Sequence, residues 1–347
     1  MGDYFSIRWI DGRVRMLDQR LLPEKEVYRD FVKCSEVAEA IRQMIIRGAP
    51  AIGVATGFGL ALTAWYSHAT DIDKFIKELR DDAEQLRMSR PTAANLFAAI
   101  QRIESFVDMA GDVSLEELKS AIIAEAHKIA AEDVQMSLKM AENGAQFIPD
   151  DANLIHHCNT GALATGGIGT ALGVIRLAYQ NGKKIHVYVD ETRPRLQGAR
   201  LTSWELKQLG IPHTVIVDGA SGFFMKKKHI DACLVGCDRI AANGDVANKI
   251  GTYNLALAAW AHGVPFYSVG PTTTIDLKIA TGADIPIEER SASEITQIGK
   301  THITPDGVEV ANPAFDVTPA RYITAIITDK GVATPPYEQS IKKLMIG

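Results

Sequence analysis

The sequence has 347 residues, of which 46% are hydrophobic and 23% are charged. This balance is typical of a globular protein of about two domains, and it excludes a disordered chain, a collagen-like repeat and a small disulfide-stapled domain. The 37 basic and 42 acidic residues give a net charge of −5, so no basic excess indicates a nucleic-acid partner. Neither a signal peptide nor a long uninterrupted apolar stretch is evident, so we expect no membrane association and a cytoplasmic location.

The first part of the chain, 1–145, predicts a hairpin followed by a helical domain. Residues 4–22 alternate around the turn signal Asp11-Gly12, which is typical of a β-hairpin. Ser35 is the expected N-cap of the first helix and Gly48 its expected C-terminal glycine. Alanine-rich segments that predict further helices follow at 51–68, 72–88, 92–110 and 115–143.

The second part, 146–347, alternates between strands and helices, which predicts an α/β fold with a mostly parallel sheet covered on both faces. The expected strands lie at 154–158, 185–190, 213–218, 232–235, 265–269 and 322–327, and the expected helices at 167–179, 197–209 and 250–262.

Polar residues follow three of these strands, at 158–161, 190–193 and 236–239. In an open α/β sheet, ligands bind beyond the carboxyl ends of the strands. The three segments hold a thiol (Cys158) and two carboxyl groups (Asp190 and Asp238), so we expect a reactive site at that edge, against the alternative that they are ordinary loop residues.

The glycine run 167–173, with Asp190 at the end of the next strand, is similar to a dinucleotide-binding fingerprint. However, eight residues separate Cys158 from Gly167, whereas the fingerprint glycines should follow the first strand directly. We therefore expect no NAD site, and helix–sheet packing as the alternative role of the glycines.

Metal binding is also disfavoured. His156, His157 and Cys158 are consecutive, so on a strand their side chains point to opposite faces and cannot hold one ion together. Cys233 and Cys237 are expected to be small buried apolar side chains.

Three segments are candidates for binding a phosphate, because each combines a cation with small residues or a helix end. They are Arg47-Gly48-Ala49-Pro50, Arg90-Pro91, and Asn248-Lys249 before the expected helix start at Gly251-Thr252.

Taken together, these motifs resemble one family along essentially the whole chain. The stretches that carry the resemblance are 47–53 (RGAPAIG), 158–161 (CNTG), 190–194 (DETRP) with 197–200 (QGAR), 236–240 (GCDRI), 248–252 (NKIGT), 312–319 (NPAFDVTP) and 328–332 (TDKGV). They are similar to the methylthioribose-1-phosphate isomerases, the aldose–ketose isomerases of methionine salvage.

The resemblance implies a hairpin-plus-helices N-terminal domain, a Rossmann-like C-terminal domain, a homodimer, and no metal or nucleotide cofactor. It also implies that Asp238 is the proton donor and that Cys158 stabilises the transition state or acts as a base. The substrate-binding residues that it implies are Arg47, Gly48, Ala49, Arg90, Gln197, Asn248 and Lys249.

Two related functions remain as alternatives. One is an isomerase of ribose 1,5-bisphosphate, which differs in the group on C5. The other is a non-catalytic regulatory subunit of the translation initiation guanine-nucleotide exchange factor, against which the presence of both Cys158 and Asp238 argues.

Overall fold

The computed structural model describes residues 4–90, 93–109, 111 and 113–346, which fall into two compact units. We call Gly2–Leu138 with Gly161–Gly169 the helical unit, and Lys139–Thr160 with Thr170–Gly347 the sheet unit. The chain thus passes into the helical unit a second time, just after Thr160.

The helical unit begins with the predicted hairpin, which is confirmed. Strands β1 (Ile7–Ile10) and β2 (Arg13–Leu17) pair antiparallel around Asp11 and Gly12, whose φ values are 48° and 76°. A third strand, β3 (Tyr28–Phe31), pairs with β2 and was not predicted. Its two central residues are exposed, so its sequence lacks the alternation of apolar and polar residues that identifies a half-buried strand.

Five α-helices complete the described part of this unit, and the four alanine-rich segments are confirmed as helical, although residues 92 and 110 at the ends of one segment lie outside the described residues. The helices are α1 (Cys34–Arg42), α2 (Ala49–Tyr66), α3 (Ile72–Ser89), α4 (Ala94–Asp108) and α5 (Leu115–Ala145), the last of which continues into the sheet unit. Among the described helices, α2 alone is long and apolar enough to span a membrane by length and composition, which the sequence analysis did not anticipate. However, 78% of its span is buried by α1, α3, α4 and other elements, as in the central helix of a folded core.

Both predicted ends of α1 are wrong. The helix starts at Cys34 rather than after Ser35, and the Glu36 carboxylate accepts the N–H groups of Val32 and Lys33. It ends at Arg42, where Met44 takes the left-handed conformation (φ 57°). Gly48 (φ 92°) instead lies directly before α2. Glycine is required there because a Cβ would be 2.5 Å from the Ala164 carbonyl oxygen.

The sheet unit contains thirteen strands and six helices among its described residues. The strands are β4 (Asp151–His156), β5 (Lys184–Asp190), β6 (His213–Ile216), β7 (Ala232–Val235), β8 (Arg239–Ala241), β9 (Val246–Lys249), β10 (Phe266–Val269), β11 (Ile275–Asp276), β12 (Gln297–Ile298), β13 (Thr301–His302), β14 (Phe315–Thr318), β15 (Ala325–Thr328) and β16 (Gly331–Ala333). The helices are α6 (Ala171–Gln180), α7 (Ser203–Leu209), α8 (Ser221–Lys227), α9 (Thr252–Ala261), α10 (Ser293–Thr296) and α11 (Tyr337–Ile346).

The main sheet has the order β16-β15-β10-β7-β4-β5-β6, with all neighbours parallel except β16. The six parallel strands, numbered by their appearance in the chain, therefore run 6-5-4-1-2-3, which is the doubly wound order of Rossmann-like folds. The predicted fold class is confirmed. The order reverses between β4 and β7, so the crevice where such sheets bind ligands lies between these two strands.

A smaller sheet of order β11-β8-β9-β14 follows β7 in the chain. Its hairpin β8–β9 is antiparallel, with Arg239 opposite Ala247, and β14 pairs with the far side of β9. Because β8 begins just after the end of β7, this hairpin lies at the ligand-binding edge of the main sheet.

Several predicted elements in the sheet unit have other bounds. The strand expected at 154–158 ends at His156, so His157 and Cys158 lie beyond it. The helix expected from Gly167 begins at Ala171, and the late strand expected at 322–327 is β15, since Tyr322 lies in a short 3₁₀ turn. Gly169 (φ 105°) forms a bridge with Gly161, and a Cβ at Gly167 would lie 2.9 Å from Ser137 of α5. Gly169 therefore allows the loop to close on Gly161, and Gly167 allows it to pack against α5. Neither glycine begins a helix.

Candidate active site

The polar segments after β4, β5 and β7 meet at one edge of the sheet, as the sequence predicted. The three strands are neighbours in the order β7-β4-β5. A Cβ at Gly236, after β7, would lie 2.8 Å from the Thr160 methyl group, after β4. Cys158 follows the end of β4 by two residues and Asp238 follows the end of β7 by three. A thiol and a carboxyl group thus flank the point where the strand order reverses.

Cys158 is held in an unusual backbone conformation by hydrogen bonds on both of its peptide groups. Its φ is 67°, in the left-handed region that residues other than glycine seldom adopt. Its N–H donates to Thr192 Oγ1 (2.8 Å), and its carbonyl accepts from Thr202 Oγ1 (2.7 Å). The residue is 8% exposed. Such a conformation persists only when its surroundings impose it, and it occurs preferentially at functional sites.

Gln197 lies at the start of a π-helical turn, Gly198–Thr202, that runs directly into α7. A Cβ at Gly198 would lie 1.7 Å from the Asp190 carbonyl oxygen, so this turn can approach the end of β5 only with glycine there. Gln197 is 7% exposed, and its Oε1 has no hydrogen-bond partner among the described residues. A buried acceptor of this kind is costly unless a ligand supplies a donor.

Asp238 and Asn248 lie opposite each other at one end of the β8–β9 hairpin. The Asp238 N–H donates to the Ala247 carbonyl (2.9 Å), which extends the hairpin register by one residue. Asp238 is partly exposed, whereas Asn248 is 4% exposed and donates to Thr252 Oγ1 (3.0 Å). The hairpin therefore presents a reachable carboxyl group beside a fixed amide.

The immediate neighbours of Asp238 in the chain add little positive charge beside it. Burial raises the pKa of the Cys237 thiol to about 12, so this side chain is neutral at physiological pH. The Arg239 guanidinium is directed to the Asp276 carboxylate, at 3.6 Å. Ile240 is fully buried. The groups next to Asp238 in the chain are thus a neutral thiol, a guanidinium directed to another carboxylate and a buried aliphatic side chain.

Lys249 is positioned by β14. Its Nζ donates to the Ala314 carbonyl (2.7 Å) and lies 4.4 Å from the centre of the Phe315 ring. The adjacent helix start, however, is not the open phosphate cradle that the sequence suggested. The Asp316 carboxylate accepts the N–H groups of Gly251 (2.7 Å) and Tyr253 (3.1 Å), so an internal anion already occupies the N-terminus of α9.

The remaining predicted binding residues belong to the helical unit. Arg47, Gly48 and Ala49 lie together at the N-terminus of α2, an 18-residue helix, and an arginine beside a helix N-terminus suits a phosphate. Arg90 follows the last residue of α3, and its carbonyl accepts the Ala93 N–H (3.1 Å). Pro91, the other half of that predicted motif, lies outside the described residues.

The sequence analysis gave no role to His157, which the structure places among the site residues. His157 Nδ1 is 2.9 Å from Asp190 Oδ2, and Nε2 is 2.9 Å from the Ile250 carbonyl oxygen. The preceding His156 turns the other way, with Nδ1 2.8 Å from the Leu234 carbonyl. The one signal in the sequence was a histidine beside the site cysteine, with an aspartate at the end of the next strand.

His157, Asp190 and Asp218 are the described residues whose donor atoms are grouped closely enough to suggest a metal site. Their atoms are already engaged with one another and with the chain. Asp190 accepts from Ser221 Oγ (2.7 Å), and Asp218 accepts the N–H groups of Thr192 and Arg193 (both 2.7 Å). Asp190 is also 1% exposed, so its carboxylate is not presented to a ribose as a dinucleotide fingerprint requires.

Comparison with known proteins finds one matching family and several full-length relatives. The Initiation factor 2 subunit family matches residues 45–335. Methylthioribose-1-phosphate isomerase 2 of Pseudothermotoga lettingae is 55% identical, over 99% of both chains. The crystal structure of 5-methylthioribose 1-phosphate isomerase from Pyrococcus horikoshii OT3 is 48% identical, with a TM-score of 0.94 over 99% of this chain and 96% of that one. A structure of translation initiation factor eIF-2B, subunit delta, from A. fulgidus is 43% identical, with a TM-score of 0.90 over 99% of this chain and all of that one.

Proposed function

The chain belongs to the Initiation factor 2 subunit family, and we propose on that basis that it is an aldose–ketose isomerase of methionine salvage. Its reaction converts 5-methylthioribose 1-phosphate into 5-methylthioribulose 1-phosphate. The observation that carries this proposal is the position of Cys158 and Asp238 just after the two strands that flank the reversal of strand order. Full-length relatives that are about half identical carry the name of the same isomerase.

Ring opening is the first chemical problem. C1 of the substrate bears a phosphate and has no hydroxyl group, so the furanose cannot open spontaneously. Asp238 donates its proton to the ring oxygen as the bond between C1 and that oxygen breaks, and the ring oxygen becomes the hydroxyl group on C4. A carboxyl group that keeps its proton near neutrality can do this.

Hydrogen transfer from C2 to C1 follows. Either the hydrogen leaves C2 as a proton, which a Cys158 thiolate takes and then returns to C1 through an enediol-like intermediate, or it moves directly from C2 to C1 as a hydride. In both routes the C2 hydroxyl loses its proton and becomes the ketone, which balances the proton given by Asp238. A Cys158 thiolate or the phosphate supplies the negative charge that stabilises positive charge at C1.

Substrate binding is assigned to the remaining residues. Arg47, with Gly48 and Ala49 at the start of α2, and Lys249 hold the phosphate. Arg90, Gln197 and Asn248 complete the set of substrate-binding residues that the resemblance implies. The support for Gln197 is its buried amide oxygen, which a sugar hydroxyl would satisfy. We propose further that the enzyme is a cytoplasmic homodimer, which sedimentation in solution tests.

The direct test is to incubate the purified protein with 5-methylthioribose 1-phosphate and to follow the product by ¹³C and ³¹P NMR. We expect a ketone carbon at C2 to appear while the phosphate ester on C1 remains intact. A parallel incubation with ribose 1,5-bisphosphate tests the second sugar phosphate, and preferential turnover of that compound would reassign the substrate.

The likeness to the eIF-2B subunit favours one alternative, a regulatory subunit without catalysis. That function does not require a proton donor or a thiol. Absence of turnover with either sugar phosphate, by a folded protein, would overturn the isomerase proposal and favour this alternative.

A further inference from the structure

His157 is a fully buried side chain between two segments that carry proposed substrate and catalytic residues. It directly precedes Cys158 in the chain. Its ring contacts Asp190 at the end of β5 on one side and the carbonyl of Ile250, next to Lys249, on the other. It is 1% exposed, so water does not compete for either nitrogen.

The two contacts determine the protonation of the ring. The Ile250 carbonyl can only accept a hydrogen bond, so Nε2 carries a proton. Nδ1 faces a carboxylate whose other oxygen, Oδ1, accepts from the Ser221 hydroxyl. When Nδ1 also donates, to the Asp190 carboxylate, the ring is an imidazolium. Burial raises the pKa of the Asp190 carboxyl group, and the hydrogen bonds from His157 and Ser221 oppose that rise. Burial on its own lowers the pKa of His157, but the hydrogen bond and the charge of Asp190 outweigh burial and raise it.

The charged groups around the ring favour the same state. Asp190 of β5, Asp218 after β6 and Asp316 of β14 all place carboxylates near His157, and His156 is its titratable neighbour on β4. Burial lowers the pKa of His156 to about 4, so that ring is neutral and adds no competing charge. One buried cation thus stands among three carboxylates.

The segment that His157 contacts is held tightly from the opposite side. The Ile250 N–H donates to the Ala314 carbonyl (3.1 Å), which also accepts from Lys249 Nζ. Gly251 (φ 100°) presses against the ring, since a Cβ there would lie 2.8 Å from His157 Cε1. The peptide after Lys249 is therefore clamped between β14 and the imidazole.

We propose that His157 is a positioning residue of the isomerase reaction, a doubly donating cross-brace that fixes the Ile250 peptide, and with it Lys249, relative to Cys158. The inference rests on the proposed function, because it assigns the brace to that reaction. A misplacement of about 1 Å between reacting groups is enough to cost a large factor in rate. The brace provides rigidity through two charge-assisted hydrogen bonds.

Two substitutions separate the two hydrogen bonds. His157→Asn can retain a donor near the Nδ1 position, toward Asp190, but loses the contact with Ile250. His157→Gln can retain a donor near the Nε2 position, toward Ile250. We expect His157→Asn to lower kcat/KM at least ~10-fold, with a rise in KM as well as a fall in kcat, and His157→Gln to restore most of the activity. His186→Gln is the matched control, because His186 lies on β5 and bonds only to Thr214 Oγ1 in the described contacts.

The outcomes are distinguishable from those of the proposed function. If the wild-type protein turns over the substrate and His157→Asn matches it, or if His157→Gln loses as much activity as His157→Asn, the brace is overturned. If the wild-type protein is inactive, the proposed function fails and the inference with it.

Protonation of the ring gives a readout that does not depend on the variants being active. Long-range ¹H–¹⁵N spectra of the wild-type protein, with His157 assigned by the signal missing from a variant, should show both ring nitrogens protonated at pH 7.5. If neither variant folds, the buried rings can be assigned in selectively histidine-labelled protein, because a paramagnetic agent in solution and a change of pH affect them least. The same spectra then give the protonation of His157. A neutral His157 ring at that pH would overturn the proposal.

Discussion

The Cys158 backbone N–H donates to Thr192 Oγ1 at 2.8 Å, and the Thr192 hydroxyl donates onward to the Asp190 carbonyl at 2.9 Å. A residue that is 34 positions away in the chain thus holds the left-handed backbone of the proposed catalytic cysteine. Thr192 itself has a φ of 63°, and its N–H is held by Asp218. The backbone conformation at Cys158 therefore depends on the loops that follow both β4 and β5.

The first prediction concerns this contact. Thr192→Val keeps the shape of the side chain but removes the hydroxyl group, which leaves the buried Cys158 N–H without its acceptor. We expect a loss of about 1–3 kcal/mol in the free energy of unfolding and a fall in kcat. Urea denaturation and steady-state kinetics measure both, and Thr192→Ser should recover most of the loss. Thr214→Val, at an exposed threonine, is the control. Unchanged kcat in folded Thr192→Val would show that the contact does not position the thiol.

The second prediction concerns Asp238. Asp238→Asn preserves the size of the side chain but cannot donate a carboxyl proton, so ring opening should stop. We expect kcat to fall at least ~100-fold while substrate binding is largely retained. Kinetics, binding calorimetry and circular dichroism measure the three quantities. A folded variant with nearly wild-type kcat would remove Asp238 from the mechanism.

The third prediction separates Cys158 from Asp238. A serine hydroxyl ionises far less readily than a thiol, so Cys158→Ser should also lose most of its kcat. If the thiol acts after ring opening, this variant should accumulate an acyclic species in NMR spectra of the stalled reaction. Asp238→Asn should accumulate only bound cyclic substrate. The same bound species in both variants would contradict this order of events.

The fourth prediction concerns phosphate binding. Ala at Arg47 or at Lys249 should weaken substrate binding by about 1.5–3 kcal/mol, as expected for a hydrogen bond to a charged group. The KM values and binding calorimetry measure the effect, with Lys278→Ala at an exposed lysine as the control. If both variants bind the substrate as tightly as the wild-type protein, these cations do not contact the phosphate.

The fifth prediction concerns the pH dependence of stability. Burial lowers the pKa of His156 from 6.5 to about 4, so between these values the unfolded chain binds a proton that the folded chain does not. This residue therefore contributes a loss of stability as the pH falls from 6.5 to 4, of about 3 kcal/mol in total. His156→Asn, which can keep the donor toward Leu234, should reduce that dependence. Urea denaturation at pH 7 and pH 4.5 gives the comparison, and an equal slope in both proteins would contradict it.

Local sequence patterns determined much of the fold. The alternation around Asp11-Gly12 identified the hairpin. The alanine-rich segments identified helices of the helical unit, and the apolar runs identified the six parallel strands of the main sheet, because hydrophobic periodicity and turn-forming residues act over a few residues. The smaller sheet and helices α8, α10 and α11 were not predicted. The same logic placed Cys158 and Asp238 after strands, and therefore at the carboxyl edge of a parallel sheet. Their assignment as catalytic residues came from the resemblance to a family, not from these patterns.

The tertiary structure decided what depends on residues far apart in the chain. A glycine is required at Gly48, directly before α2, because Ala164 leaves no room for a Cβ. The N-terminus of α9 is occupied because the Asp316 carboxylate reaches it from β14. His157 bridges two distant segments because Asp190 and Ile250 both contact its ring. None of these contacts has a local signal. A hydrogen bond or a steric limit between distant segments exists only once the strand order has brought them together, so a pattern of neighbouring residues cannot encode it.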